Sequence, residues 1–222
     1  QKISVDRKAA FLRLEAKNRT KRGYSKNIQL LFRGVEKLSS HFPLAAPTWG
    51  EEEVQAMQTV IDSGVFTMGE NVLRFEAAFA KYADSKYCVM VNSGSSANLL
   101  MVAALFYTKN SALKRGDEVI VPAVSWGTTY FPLYQYGLKL KFVDIDLETL
   151  NYDLEKLDEA VTDSTRLIMA VNLLGNANDF SKIDSIISGR DIILIEDNCE
   201  SMGATLEGKQ AGTFGVMGSF ST

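Results

Sequence analysis

The run I-I-L-I-E-D-N-C-E, from Ile192, reads as a buried strand that delivers two acids, Asp197 and Glu200, just past its end. An acid at the carboxyl end of an interior parallel strand stands where open α/β sheets place ligand chemistry. A carboxylate there can pair with a protonated ring nitrogen and turn the ring into an electron sink. The plainer alternatives are an Asp that caps a following turn and a Glu on the surface. A second feature is V-M-V-N-S-G-S-S-A-N-L-L, where an apolar run enters Asn92–Ser96 and a helix begins directly after it. Free backbone N–H groups at a helix start favour an anion. Gly94 permits close approach, and the hydroxyls of Ser95 and Ser96 add donors. The same turn also reads as an ordinary N-cap. Trp126, in P-A-V-S-W-G-T-T-Y, follows another strand end and suits stacking on an aromatic ring; its alternative is a core position. Ser221 follows V-M-G-S-F and offers a second hydroxyl to a phosphate. A parallel topology brings all these strand ends to one edge. Together they describe an aromatic cofactor with a phosphate, held at both ends.

The elements that must position these residues alternate. Strand-like runs occur at Tyr87–Val91, Glu118–Val121, Leu140–Val143, Leu167–Val171 and Ile192–Ile195. Helix-like segments lie between most of them, at Ala97–Tyr107, Thr128–Tyr136, Leu154–Val161 and Ile183–Ile187. Short apolar strands separated by helices predict an α/β fold, a mostly parallel sheet with helices on both faces. Ahead of this, two of the four prolines fall in the linker His41–Gly50. Thr48 or a neighbour is placed to cap the next helix, whose first turn carries Glu51, Glu52 and Glu53. Val54, Met57, Val60 and Ile61 give that helix an apolar face, and Gly64 ends it. A short loop leads to a helix with Val72, Phe75, Phe79 and Tyr82.

Composition excludes several classes. No apolar run approaches the ~18 residues of a membrane span, and no signal-peptide pattern opens the chain. Two cysteines, Cys88 and Cys199, make no disulfide framework, so a cytoplasmic setting is expected. The net charge of -3 hides an asymmetry: residues 1–40 hold 11 of the 24 Lys+Arg and 3 of the 27 Asp+Glu, a balance of +8 against -11 for the rest. Such a segment suits an anionic partner. Its stripe of Ile28, Leu31, Phe32, Val35 and Leu38 at helical spacing favours a protein surface instead. The expected organisation is a basic helical extension over 1–40 and a ligand-binding domain over 41–222, with no nucleic-acid or membrane partner.

The motifs V-N-S-G-S-S-A-N-L-L, V-P-A-V-S-W-G-T-T-Y-F-P-L, F-V-D-I-D, V-N-L-L-G-N and I-E-D-N-C-E-S-M-G-A-T, in this order, resemble the sugar aminotransferase family of fold type I pyridoxal-phosphate enzymes. The similarity runs from about Phe42 to Thr222. It implies the large domain of that fold, without the smaller C-terminal domain, and pyridoxal 5'-phosphate or pyridoxamine 5'-phosphate as cofactor. By the resemblance, Gly94 and Ser95 hold the phosphate, with Ser221 closing the pocket. Trp126 stacks on the pyridine ring, Asp197 pairs with its nitrogen, and Glu200 lies near the ring hydroxyl. Gly64, Val65, Phe66 and Thr67 lie against a nucleotide-sugar. Glu200, where transaminating members usually carry Gln, and Trp126 both lean towards members that dehydrate. The implied activity is C3 dehydration of a nucleotide-linked 4-keto-6-deoxy sugar, GDP-4-keto-6-deoxy-D-mannose, in dideoxysugar and O-antigen biosynthesis, with L-glutamate as amino donor and a homodimer as the working form.

In such relatives the decisive residue falls a few positions past Thr222, a lysine in aminotransferases and a histidine in the dehydratase. The chain starts without Met and stops in mid-pattern, so it reads as a fragment with little or no activity alone. His41 lies in the proline linker and Lys209 in the turn E-G-K-Q, so neither is expected to be catalytic. Three rivals stand beside this reading. One is a nucleotide-sugar 4-aminotransferase. Another is an iron–sulfur-coupled CDP-4-keto-6-deoxyglucose 3-dehydratase, with Cys199 as a cluster ligand. The third is an inert fragment or interaction module.

Overall fold

The structure, a computed structural model, describes residues 48–109 and 112–222. The expected basic extension over 1–40, with its apolar stripe, and most of the proline linker lie outside the described residues. The chain divides into two compact units, residues 1–64 and 65–222.

In the first unit, helix α1 spans Glu51–Ser63. Its N-cap is Gly50 rather than Thr48, and Glu53 reaches back so that its Oε2 accepts the Gly50 N–H at 2.6 Å. Gly64 ends the helix in the left-handed conformation. The expected burial of Val54, Met57 and Ile61 is not seen, as all three are exposed. A stripe states which side of a helix needs a cover; burial requires an opposing surface. The described residues of this unit supply none.

The second unit opens with α2 (Glu70–Tyr82) and α3 (Gly94–Tyr107). There follow β1 (Glu118–Pro122), α4 (Gly127–Gln135), β2 (Lys139–Val143), α5 (Leu154–Ala160), β3 (Thr165–Val171), α6 (Phe180–Ile187) and β4 (Ile193–Asp197). A two-residue hairpin, β5 (Thr205–Leu206) and β6 (Lys209–Gln210), turns through Glu207 and Gly208, both at positive φ. Lys209 therefore starts a strand just after the turn. The last strand is β7 (Gly218–Ser219). The sheet order is β2-β1-β3-β4-β7, and every pairing in it is parallel.

Side chains alternate across a strand, and the core accordingly splits in two. Val119, Val121, Leu167, Met169 and Ile195 face one way and pack with α3 and α4. Ile120, Ile168, Ala170 and Leu194 face the other way and pack with α5 and α6. Helices thus cover both faces, which is why the strands read as continuous apolar runs. None of the described helices is long and apolar enough to cross a membrane.

One expected strand is corrected. Tyr87–Val91 adopts no regular secondary structure and pairs with no strand among the described residues. Extended backbone becomes a strand only where a neighbour takes up its N–H and C=O groups. Here the Met90 N–H goes to Glu76 Oε1 at 2.9 Å and the Tyr87 carbonyl accepts from Ser85 Oγ at 3.1 Å. Between this segment and β7 lies an open groove of about 760 Å³.

Candidate functional site

The carboxyl ends of β1, β3 and β4 and the start of α3 enclose a second, smaller cavity of about 290 Å³. Its walls include Gly94, Ser95, Trp126, Asp197, Glu200 and Ser221. All six residues singled out in the sequence for a cofactor therefore meet in one place. Val65, Phe66 and Thr67 are exposed and do not line it, and Gly64 belongs to the other unit.

Asp197 ends β4 and is buried. Its Oδ2 accepts from Asn98 Nδ2 and from Thr129 Oγ1, each at 2.8 Å. Its Oδ1 accepts the Cys199 N–H at 3.2 Å and lies 3.5 Å from Ser219 Oγ. Two neighbours orient these donors in turn. Ser219 Oγ donates to Asn98 Oδ1 at 2.6 Å, and Ser125 Oγ sits 2.7 Å from Thr129 Oγ1. Asn98 stands one turn into α3 and Thr129 in the first turn of α4. The carboxylate is thus pinned from two helices and from β7, and a buried ionised carboxylate is tolerable only when hydrogen-bonded in this way.

The opposite wall is the start of α3. Ser93 is its N-cap, and Ser93 Oγ accepts the Ser96 N–H at 3.2 Å. The Ala97 N–H is taken by the Ser93 carbonyl at 3.0 Å. The Gly94 and Ser95 N–H groups have no protein acceptor among the described residues, and both residues line the cavity at the positive end of the helix dipole. Gly94 is required by space: a Cβ there would lie 2.6 Å from Cys199 Sγ and 3.0 Å from Ser221 Cβ. Burial, with the Asp197 charge next, pushes the Cys199 thiol up to about 12 and keeps it protonated.

Trp126 is the N-cap of α4 and is 73% exposed, so it is not a core residue; its ring is free to meet a planar ligand. Glu200 is exposed, and its Oε2 accepts the Leu174 N–H at 3.2 Å. Leu174 itself holds a left-handed conformation, φ 52° and ψ 32°, in the 3-10 turn Leu173–Gly175. Such strain in a non-glycine residue clusters at ligand sites. Sequence reasoning missed Asn98, Thr129 and Ser219. Their only signal was the position of each one turn into a helix or at a strand end beside a residue already singled out.

The donor set fits a planar ring that carries a phosphate. Paired N–H groups and hydroxyls stand at one wall, an acceptor-only carboxylate at another, and an exposed indole beside them.

The model of the DegT/DnrJ/EryC1/StrS aminotransferase family matches residues 47–222. The chain belongs to this family. It is 63% identical over 188 residues to GDP-4-keto-6-deoxy-D-mannose 3-dehydratase of Yersinia pseudotuberculosis, covering 85% of the chain and 48% of that protein. A crystal structure of GDP-4-keto-6-deoxymannose-3-dehydratase with bound GDP-perosamine superposes with a TM-score of 0.79 at 66% identity, over 81% of this chain and 47% of that one. Another, with a trapped PLP-glutamate geminal diamine, gives a TM-score of 0.80 at 66% identity and the same coverage. The family members of this group therefore share the fold type I sheet seen here. The chain spans about half the length of the curated relatives it matches.

Proposed function

We propose that this chain is the cofactor-binding part of a pyridoxal-phosphate- and pyridoxamine-phosphate-dependent nucleotide-sugar 3-dehydratase. Its substrate is GDP-4-keto-6-deoxy-D-mannose, its amino donor is L-glutamate, and its working form is a homodimer. The observation that carries the reading is the pinned Asp197 carboxylate sharing one cavity with the uncapped Gly94 and Ser95 amides. Identity of 63–66% to proteins named for this dehydration, one of them seen with GDP-perosamine and one with a glutamate adduct of the cofactor, supports it.

When bound, the cofactor supplies a protonated ring that accepts an electron pair from the substrate. The chain's own residues prepare this. The Gly94 and Ser95 N–H groups and the Ser221 hydroxyl would hold the phosphate by charge-assisted hydrogen bonds. Trp126, exposed in the cavity wall, would stack on the ring. Asp197 Oδ2 is occupied by two donors at 2.8 Å, whereas Oδ1 has only the longer contacts of the Cys199 N–H at 3.2 Å and Ser219 Oγ at 3.5 Å, so Oδ1 would be the acceptor for a ring N–H. A carboxylate paired with the ring N–H would favour the protonated ring, which is the form that can act as an electron sink. Glu200, anchored by the Leu174 N–H, would take the ring hydroxyl. Val65, Phe66 and Thr67 supply surface for the nucleotide-sugar. Among the described residues lining the cavity there is neither lysine nor histidine.

The test is incubation of the polypeptide, carried at the full length of its relatives, with pyridoxal phosphate, glutamate and the GDP-4-keto sugar. Release of ammonia with a 3,6-dideoxy-4-keto product is expected. An aminosugar product would place the protein among the transaminases instead.

A further inference from the structure

Immediately before Asp197 stands a second carboxylate that the reading above does not use. Glu196 is fully buried and forms no ion pair among the described residues. Strand alternation turns it away from Asp197, towards the segment that leads into β7. Its Oε2 accepts the Gly212 N–H at 2.7 Å and Asn172 Nδ2 at 3.0 Å, while its Oε1 accepts the Gly215 N–H at 2.7 Å. Three donors converge on a carboxyl group that has no counter-charge and that burial pushes up from the usual carboxylate range; the arrangement satisfies both of its oxygens and would leave donors unpaired around an apolar side chain.

What these bonds hold is the route to the site. The Val216 N–H meets the Leu194 carbonyl at 2.9 Å, the Glu196 N–H meets the Met217 carbonyl at 3.0 Å, and the Asn198 N–H meets the Ser219 carbonyl at 2.9 Å. The segment therefore lies flat along β4 and ends at Ser219, which bonds to Asn98, and at Ser221, in the cavity wall. The approach is tight: a Cβ on Gly215 would lie 2.5 Å from the Leu194 carbonyl oxygen. Displacing the Gly212–Gly215 turn moves Ser219 and Ser221 relative to Gly94.

We infer that Glu196 is a positioning residue for the phosphate end of the cofactor site, acting through the Gly212 and Gly215 N–H groups on Ser219 and Ser221. This rests on the cofactor reading given above. The exchange Glu196→Gln puts an amide NH₂ against N–H donors and breaks the grip at one oxygen. Gly215→Ala displaces the same turn while leaving Glu196 in place.

The experiment compares pyridoxamine phosphate with pyridoxamine, by ligand fluorescence, on the polypeptide carried at the full length of its relatives and on both variants. It also follows amide hydrogen exchange over residues 212–215. In both variants the preference for the phosphorylated amine is expected to fall about tenfold or more, while pyridoxamine binding changes less than about threefold; tenfold is the loss of roughly one good hydrogen bond. In Glu196→Gln the Gly212 and Gly215 amides exchange faster and those of β1 and β3 do not. Equal weakening of both amines would mark a general loss of structure and overturn the inference. So would an unchanged preference, or unchanged exchange at Gly212 and Gly215. If the unsubstituted full-length polypeptide, folded by circular dichroism, binds neither amine, the cofactor reading itself fails, and the inference with it.

Discussion

The interior strands β1, β3 and β4 and the segment Tyr87–Val91 are similarly apolar, yet they end in opposite states. Each interior strand has a parallel neighbour on both sides, and Val119, Ile120, Leu167, Ile168 and Ile195 are fully buried. In Tyr87–Val91, Tyr87 is 74% and Val89 66% exposed, beside an open groove. The difference teaches that hydrophobic sequence nominates a strand and hydrogen-bonding neighbours make one. The cavity belongs with the ordered side: Asp197 extends the β4 ladder, and its partners come from helices packed on the same core.

The two cysteines report on the two regions directly. With its thiol pushed from 9.0 to about 12, Cys199 holds about a thousandth of the thiolate of an unperturbed cysteine near neutral pH. Because the raised value favours the protonated form, reactivity is suppressed below it and recovers only as pH climbs towards 12. Timed alkylation at pH 8, read by peptide mass spectrometry, should modify Cys88 well before Cys199, even though burial also pushes the Cys88 thiol up. Faster reaction at Cys199 would mean that its cavity is open to solvent in a way the hydrogen bonds around Asp197 do not allow.

A pair of truncations breaks the comparison by stability. Leu167→Ala, in β3, should cost about 2–5 kcal/mol in urea unfolding, from lost burial and the void left behind. Val89→Ala should change it by less than about 0.5 kcal/mol, as an exposed substitution. Equal costs would show that Tyr87–Val91 is covered in solution. A binding measurement separates the two regions at Trp126, which is as exposed as Tyr87 but lines the cavity. Trp126→Ala should weaken pyridoxamine phosphate binding by about 1 kcal/mol and leave stability unaltered, measured by fluorescence titration and unfolding together.

Much of this was legible in the residues. Glu118–Val121, Leu167–Val171 and Ile192–Ile195 announce buried parallel strands because helices on both faces demand apolar side chains on both. The Gly94 turn and Asp197 were legible because topology sends strand ends to one edge. The Asn98–Asp197 and Thr129–Asp197 bonds were not, since they join residues 99 and 68 positions apart with no local pattern linking them. Glu196 was hidden for a related reason: an acid beside a site acid looks like part of the same feature until strand alternation sends it to the other face. The apolar face of α1 shows the limit from the other side, because its stripe is plain in the sequence while its cover is not.

The central claim is that Asp197 and the start of α3 grip the two ends of one molecule. A crystal structure of the chain soaked with pyridoxamine phosphate tests it most directly. The account predicts the ring nitrogen within about 3 Å of an Asp197 oxygen, and phosphate oxygens at hydrogen-bond distance from the Gly94 and Ser95 N–H groups. A ligand bound with its phosphate elsewhere, or with its ring nitrogen turned away from Asp197, would contradict it.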